Sequence, residues 1–461
     1  MKAVTMQQWA GWAGGQLQGG DPGLRFGGVG IDTRSFRPGD LYVALRGENH
    51  DGHDFIDQAR EAGAVGAMVE REWLEQSPEV AEDFPLVVVP ATLAALQHAA
   101  AAYRQWMDPV VIAVTGSNGK TTTKDFIRAV LGGSFSVTAT QGNLNNHIGL
   151  PLSMLSIEEE HSHAVFEIGM NHPGEIAPLA ALAAPDIAVV TQVGVAHIEF
   201  MRTREAIAEE KGALLAALPA DGIAVINLES DFVRELTARV PSTARTYFVG
   251  IERGDIEARD IQVAPCEGTR FRLVHEAHSA SVHLRIAGRH MVVNALLAAA
   301  VGRACGLEVD AIAAALGAVE PTPGRMSRSE WRGVQLFDDS YNANPDSMRA
   351  ALAALVGNGG GRSVAVLGHM GELGEEEGRG HREVGEFAAG CGLEALCTVG
   401  EKAEAIGEAA QAAGLEWHRF DSAGDCAAFL ASWLDAGDRV LFKGSRSAHI
   451  EFVMEELMKR S

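Results

Sequence analysis

Along this chain, short runs of β-branched and other apolar residues, bounded by glycine, asparagine or aspartate, alternate with stretches whose apolar residues recur at helical spacing. The alternation predicts strands followed by helices, an α/β fold whose sheets are mostly parallel and covered on both faces. Val29 to Arg34, Leu41 to Gly47 and Ala67 to Val69 read as short strands around a helix over 54–62, a small α/β unit. A polar stretch over 75–85 precedes the apolar run Leu86-Val87-Val88-Val89, so the first boundary is expected at 84/85. Val110-Val111-Ile112-Ala113-Val114 then reads as a buried strand, with Phe126, Ile127, Val130 and Leu131 on the helix after it. Further strands are expected from Ala164 into Glu167 and over 187–197, and helices over 204–218 and through Arg303. Pro321-Thr322-Pro323-Gly324-Arg325 has the composition of a linker and sets the second boundary at 320/321. Beyond it, Val334 to Phe337, Ser363 to Met370, Leu396 to Gly400 and Arg439 to Ser445 supply strands ending in Gly-bearing loops, a second doubly wound sheet. Three domains are expected: a small α/β domain over 1–84, a central parallel-sheet domain over 85–320, and a Rossmann-like domain over 321–461.

Composition narrows the function. A net charge of −23 disfavours nucleic acid and anionic membrane surfaces as partners, since either needs a basic stripe. A phosphate ligand would have to be held by locally gathered groups. The five cysteines, Cys266, Cys305, Cys391, Cys397 and Cys426, are widely spaced and form no C-x-x-C pair, which fits a reducing compartment. The N-terminal residues lack a signal-peptide pattern, and no apolar run is long enough to span a bilayer, so a cytoplasmic protein without membrane insertion is expected.

The strand at 110–114 ends in Thr115-Gly116-Ser117-Asn118-Gly119-Lys120-Thr121-Thr122-Thr123 and opens the next helix. This reads as a phosphate cradle. The glycines let the backbone bend close to an anion, and the helix N-terminus supplies partial positive charge. Lys120 would reach the outer phosphates and the Thr121 hydroxyl would ligate magnesium. The spacing is G-x-x-G-K-T, shorter than G-x-x-x-x-G-K-[ST], because Val114 occupies the position of the first glycine.

Other candidates lie where parallel strands should end, the place where ligands gather in such sheets. Glu167 closes one apolar strand and suits a magnesium ion between phosphates. His197 follows the next strand, where a structural hydrogen bond is the plainer account. Lys211 falls on the apolar stripe formed by Ile207, Leu214, Leu215 and Leu218, which calls for an ion pair, a snorkelling stem or a chemical role. Asn143, Asn145 and Asn146 form either a turn or a set of uncharged donors. Asp32, Thr33 and Arg34 could receive an anion, or could be a turn bonded by Asp32 with Arg34 in solvent.

Gly116 to Thr122, Gly142 to Pro151, Glu167, His197, Lys211, Asn294, Arg325 and the loop Asp338 to Asp346 together resemble the Mur ligases, over the whole chain. That family comprises ATP-dependent amide-bond-forming enzymes of peptidoglycan synthesis. Asp339-Ser340-Tyr341-Asn342-Ala343-Asn344-Pro345-Asp346-Ser347-Met348 resembles the branch that adds a dipeptide, and the Asp-Asn-Pro-Arg motif of the amino-acid-adding branch is absent. The resemblance implies that Gly116, Ser117, Asn118, Gly119, Lys120, Thr121 and Thr122 bind ATP. Asn294 would contact adenine, Asp339 the nucleotide, and Arg325 the γ-phosphate. It implies two magnesium ions held by Thr121, Glu167 and His197, with Lys211 carbamylated by CO2 as an anionic partner. Asp32, Thr33 and Arg34 would hold the UDP end of a UDP-N-acetylmuramoyl-tripeptide. Tyr341, Asn342 and Asn344 would lie near the incoming D-alanyl-D-alanine. The implied protein is a cytoplasmic monomer. The rival expectations are a ligase of the same fold that adds one amino acid or extends a folate or poly-amino-acid tail, and a nucleotide-binding regulatory or scaffold protein without turnover. The first domain argues against the folate case, and joint retention of Lys120, Glu167, His197 and Lys211 argues against the scaffold.

Overall fold

The computed structural model describes residues 1–78, 80, 84–356 and 361–460, which form two compact units. The polar stretch expected over 75–85 lies partly outside the described residues.

The first unit comprises Met1–Ala113, Ser134–Met170 and Glu175–Ile187. Its five-stranded sheet has the order Gln16–Gln18, Leu86–Val89, Gly66–Glu70, Leu41–Val43, Val29–Gly30. Only Gln16–Gln18 is antiparallel to its neighbour. Leu86–Val89, placed beyond the 84/85 boundary by its polar leader, is therefore a strand of this sheet. Its all-buried side chains explain the placement: a strand covered on both faces belongs in a sheet interior, whatever precedes it. The expected helix over 54–62 is Ile56–Glu61, led by a 3-10 turn over Gly52–Phe55. The strand at Leu41 is cut short at Val43, because the chain folds back where the Gly52 amide donates to Leu45 O at 2.8 Å. Helix Thr92–Met107 buries Ala95, Leu96, Ala99, Ala100 and Tyr103, and the Tyr103 hydroxyl donates to Ile157 O at 2.5 Å. Val137–Ala139 and His163–Glu167 pair in parallel in the same unit.

The second unit comprises Val114–Gly133, Asn171–Gly174 and Ala188–Ser461. Here strands Ile187–Val190, Ile223–Asn227, Arg245–Ile251, Ile256–Ala264, Gly268–His275 and His278–Leu284 follow one another in sheet order. Pairing is parallel from 223–227 to 256–264 and antiparallel beyond. That antiparallel meander departs from the mostly parallel expectation for the segment. Its period-two pattern, with Phe271 and Leu273 buried between exposed Arg270 and Arg272, is the signal for a strand wetted on one side. Helix Arg289–Ala304 is buried on most sides and packs on helix Lys120–Gly132.

The C-terminal sheet has the order Ser327–Trp331, Val334–Asp338, Arg439–Lys443, Ser363–Leu367, Ala395–Val399, Glu416–Phe420, antiparallel only at its first pair. Strand 439–443 is thus central although last in sequence. Asp438 clips its start: the carboxylate, 3% exposed, takes bonds from Arg362 Nη2 at 2.6 Å and from the Arg362 and Asp435 amides at 2.9 Å. No helix among the described residues is long and apolar enough to cross a membrane.

Burial pushes the Asp438 carboxyl up, but the bonds from Arg362 and the two backbone amides outweigh it and hold the group below its ordinary 3.8. A depressed carboxylate contributes stability that is complete above the unfolded-state value and lost as pH falls through the folded one. Asp438→Ala is expected to cost about 3 kcal/mol in urea unfolding at neutral pH, because a partly buried guanidinium and two amides lose their acceptor. The gap between wild type and variant should narrow as pH falls below about 4. A gap that stays constant across that range would contradict this assignment.

Candidate functional site

The strand Val110–Thr115, buried from Val111 onward, delivers the chain into the glycine loop, and helix Lys120–Gly132 begins at once. Gly116 has φ 152° and Gly119 φ 80°. A Cβ at Gly116 would overlap the Thr191 hydroxyl, and one at Gly119 would stand 2.5 Å from Asn294 Oδ1. Both positions therefore need glycine for conformation and for space. The loop is braced from the segment just after strand Ile187–Val190: Thr191 Oγ1 donates to Asn118 O at 2.6 Å, Ser117 N donates to Gln192 O, and Gly194 N donates to Ser117 Oγ. Lys120 Nζ folds back onto Gly116 O at 2.8 Å, so the ammonium hangs over the loop. Thr122 is buried within the helix.

Lys211, on helix Arg204–Ala216, is 1% exposed and ranks among the largest fully buried side chains. Burial, reinforced by the charge of Lys120, drives its amine well below the ordinary lysine range, and Glu210 opposes this only in part. His197 stands at φ 63° with Nδ1 2.5 Å from Glu372 Oε2, and Glu372 is itself at φ 59°. The close contact with His197 holds the Glu372 carboxyl below its ordinary value against partial burial, with help from the charges of His197 and Lys120. A contact between two residues in the left-handed region is bought with backbone strain, which concentrates at functional positions.

The loop after strand Val334–Asp338 meets the glycine loop. Asn344 caps helix Pro345–Leu355, its Oδ1 accepting from Ser347 N, and its amide pairs with that of Asn118: Asn344 Nδ2 donates to Asn118 Oδ1 at 2.8 Å. Asp346 Oδ2 accepts from Val195 N. The Arg325 guanidinium lies 4.0 Å from the Tyr341 ring centre and donates to Thr121 Oγ1 at 3.3 Å. Asp339 is engaged by Lys443 Nζ at 2.5 Å and by Met326 N, while Asn342 offers its carbonyl to the same lysine. Beside them His290 is pushed down to about 4, chiefly by burial; Asp339 works against this and Lys443 with it.

In the first unit, Glu167 is 3% exposed and accepts from Asn145 Nδ2 at 2.8 Å. Asn146 Oδ1 instead takes the Ile148 and Gly149 amides. The asparagine run is thus a turn at one position and a donor to a carboxylate at another. Asp32 binds Arg34 through both carboxylate oxygens and is lowered to about 2 by that side chain, while Thr33 donates to Gln58 Oε1. The turn held by Asp32 is therefore present, and Arg34 extends from it into solvent.

The second unit gathers Gly116, Ser117, Asn118, Gly119, Lys120, Thr121, Thr122, His197, Lys211, Asn294, Arg325, Asp339, Tyr341, Asn342 and Asn344. Two of these side chains have protein partners: Tyr341 lies against Arg325, and the Asn344 amide engages the helix cap and Asn118. Glu372, Lys443 and His290 are not among the residues that the sequence marks as candidates. His290 stands four residues before Asn294, whereas Glu372 carries no local signal. No group of three or more His, Cys, Asp or Glu among the described residues is arranged to hold a metal. A magnesium ion here would depend on few protein oxygens plus phosphate, its usual habit.

The Mur ligase middle-domain family model matches residues 114–302, the Mur ligase glutamate ligase domain matches 324–446, and the Mur ligase family catalytic domain matches 25–104. The UDP-N-acetylmuramoyl-tripeptide--D-alanyl-D-alanine ligase of Escherichia coli is 37% identical, covering 100% of this chain and 99% of that one. The chain belongs to the Mur ligase family. The ligase of the same name from Bacillus subtilis is 35% identical over 94% of this Mur ligase and 93% of its own length. Among solved structures, MurF from Acinetobacter baumannii superposes with TM-score 0.91 at 31% identity, covering all of both chains. The MurF ligase of Thermotoga maritima in complex with ADP gives 0.82 at 32% identity, over 94% of this chain and 97% of that one. The three-domain α/β architecture of those structures is that of this Mur ligase, and ATP is its nucleotide.

The packing at Gly116 makes a direct test. Gly116→Ala forces the Thr191 hydroxyl off Asn118 O, so ATP affinity measured by calorimetry should fall at least about tenfold, the worth of one lost bond plus strain. Wild-type affinity in this variant would mean that the loop does not carry the nucleotide.

Proposed function

We propose that this Mur ligase joins D-alanyl-D-alanine to UDP-N-acetylmuramoyl-tripeptide with conversion of ATP to ADP and phosphate, in peptidoglycan precursor synthesis. The observation that carries the reading is full-length similarity, in sequence and in fold, to ligases of that name, with the gathered cations Lys120 and Arg325 at the loop. The γ-phosphoryl group passes to the terminal carboxylate of the tripeptide, giving an acyl phosphate. The dipeptide amine attacks that carbonyl carbon, the new C–N bond forms, phosphate leaves and the amine gives up a proton.

Two anions must meet for the first step, so charge neutralisation and positioning supply most of the rate. Lys120 and Arg325 lie against the loop and its Thr121. Gly116, Ser117, Asn118, Gly119, Thr121 and Thr122 cradle the phosphates, and Asn294, packed on Gly119, meets the base. Asp339 serves the nucleotide through its fixed carboxylate.

Thr121 would offer a hydroxyl and Glu167 a carboxylate to one magnesium ion, and His197 would join a second. The metal supplies charge neutralisation to the phosphates. Lys211 fits a carbamate: burial and Lys120 favour its neutral amine, the form that adds to CO2 with loss of a proton, and the resulting anion would face Lys120 instead of a second cation. Asp32, Thr33 and Arg34 take the UDP end on the small N-terminal α/β sheet that includes Leu86–Val89, the glycine loop binds ATP, and the segment over 321–461 brings the dipeptide past Tyr341, Asn342 and Asn344. The enzyme acts as a cytoplasmic monomer.

Phosphate release from ATP is expected only with the UDP-tripeptide and D-alanyl-D-alanine together, and the product should have the pentapeptide mass. Release with a single amino acid in place of the dipeptide would give the other ligase reading, and no release with any amine would sink both. Lys211→Ala should lower kcat by about a hundredfold or more, with partial recovery in added short carboxylates. Near-normal turnover in that variant would return Lys211 to packing.

A further inference from the structure

Helix Lys120–Gly132 carries Thr121 and Asp125 four residues apart, one turn along a single face. Opposite them runs the turn Pro321 to Met326, and it meets both. Thr322 Oγ1 donates to Asp125 Oδ2 at 2.8 Å, and Arg325 Nη2 donates to Thr121 Oγ1 at 3.3 Å. The turn closes on itself through Arg325 N to Thr322 O at 3.0 Å, so fixing Thr322 fixes the residue that bears the guanidinium. Asp125 is itself anchored, since its other oxygen lies 3.0 Å from the buried Lys124 ammonium. The far side of the turn is pinned to the C-terminal sheet by Gly324 N on Asp338 Oδ2 and Met326 N on Asp339 Oδ1. The linker composition of this stretch thus hides a clip with two grips on the nucleotide helix.

We propose that Asp125 is a positioning residue for Arg325: by holding the Thr322 hydroxyl it keeps the guanidinium at the phosphate end of the glycine loop. The proposal rests on the reading of Arg325 as a γ-phosphate contact. Tyr341 sets the plane of the guanidinium, whereas Asp125 sets how far along the nucleotide helix it reaches. The contact has a consequence that packing alone lacks. Losing it should weaken a nucleoside triphosphate and spare the diphosphate, because only the triphosphate extends to Arg325.

The test is calorimetric titration of the full chain with a nonhydrolysable ATP analogue and with ADP. Thr322→Val should weaken the analogue on the order of tenfold, the worth of one charge-assisted bond, and change ADP by less than about twofold. Thr322→Ser, which keeps the hydroxyl, should bind both as wild type does. Asp125→Ala should match Thr322→Val, and in an Arg325→Ala background Thr322→Val should cause no further loss. Equal losses for both nucleotides, losses that multiply with Arg325→Ala, or a wild type without preference for the triphosphate would each overturn the proposal. Neither acceptor substrate is present, so failure of the ligase reading shows separately, as absence of dipeptide-dependent phosphate release.

Discussion

A chain with net charge −23 that handles a triphosphate must gather cations in one place, and gathering them costs free energy before any ligand arrives. The cost is visible at Lys211, whose amine is held far from its ordinary range by burial and by Lys120. Other features of the second unit manage that cost. Lys120 is tethered to a carbonyl, Arg325 lies over a ring and against Thr121, and Lys443 is matched by Asp339. Charge that would repel if mobile is held in fixed directions, and fixed charge needs little reorganisation when phosphate arrives.

What the sequence made legible follows the range of the physics involved. The glycine loop was readable because strand, turn and helix are local, and so was Lys211, because a cation on an apolar stripe is an anomaly within one helix. The antiparallel meander over 256–284 was also local, yet its period-two signal was overlooked beneath the strand–helix alternation. Leu86–Val89 was misplaced for a different reason. Which sheet a buried strand joins depends on distant partners, here Gln16–Gln18 and Gly66–Glu70, and nothing at 86–89 names them.

The same limit explains the site. Glu372 meets His197, and Asn344 meets Asn118, across long stretches of chain, so neither pairing has a local signature. Tyr341 and Asn344 were noticed as side chains near a substrate, and both prove to have protein partners. The Asp32 to Arg34 turn shows the opposite case. Its two readings were both open, the structural one is present, and it leaves the guanidinium displayed to solvent, so the two are compatible.

The Asn118–Asn344 contact joins amide to amide, with no ionisable atom on either side. Its strength is therefore indifferent to ionic strength and to proton activity across the physiological range, unlike the Asp346–Arg349 pair one turn away. A grip built from neutral dipoles gives the nucleotide loop a mechanical reference that stays constant as ligand charge comes and goes, while the charged groups around it answer to the ligand.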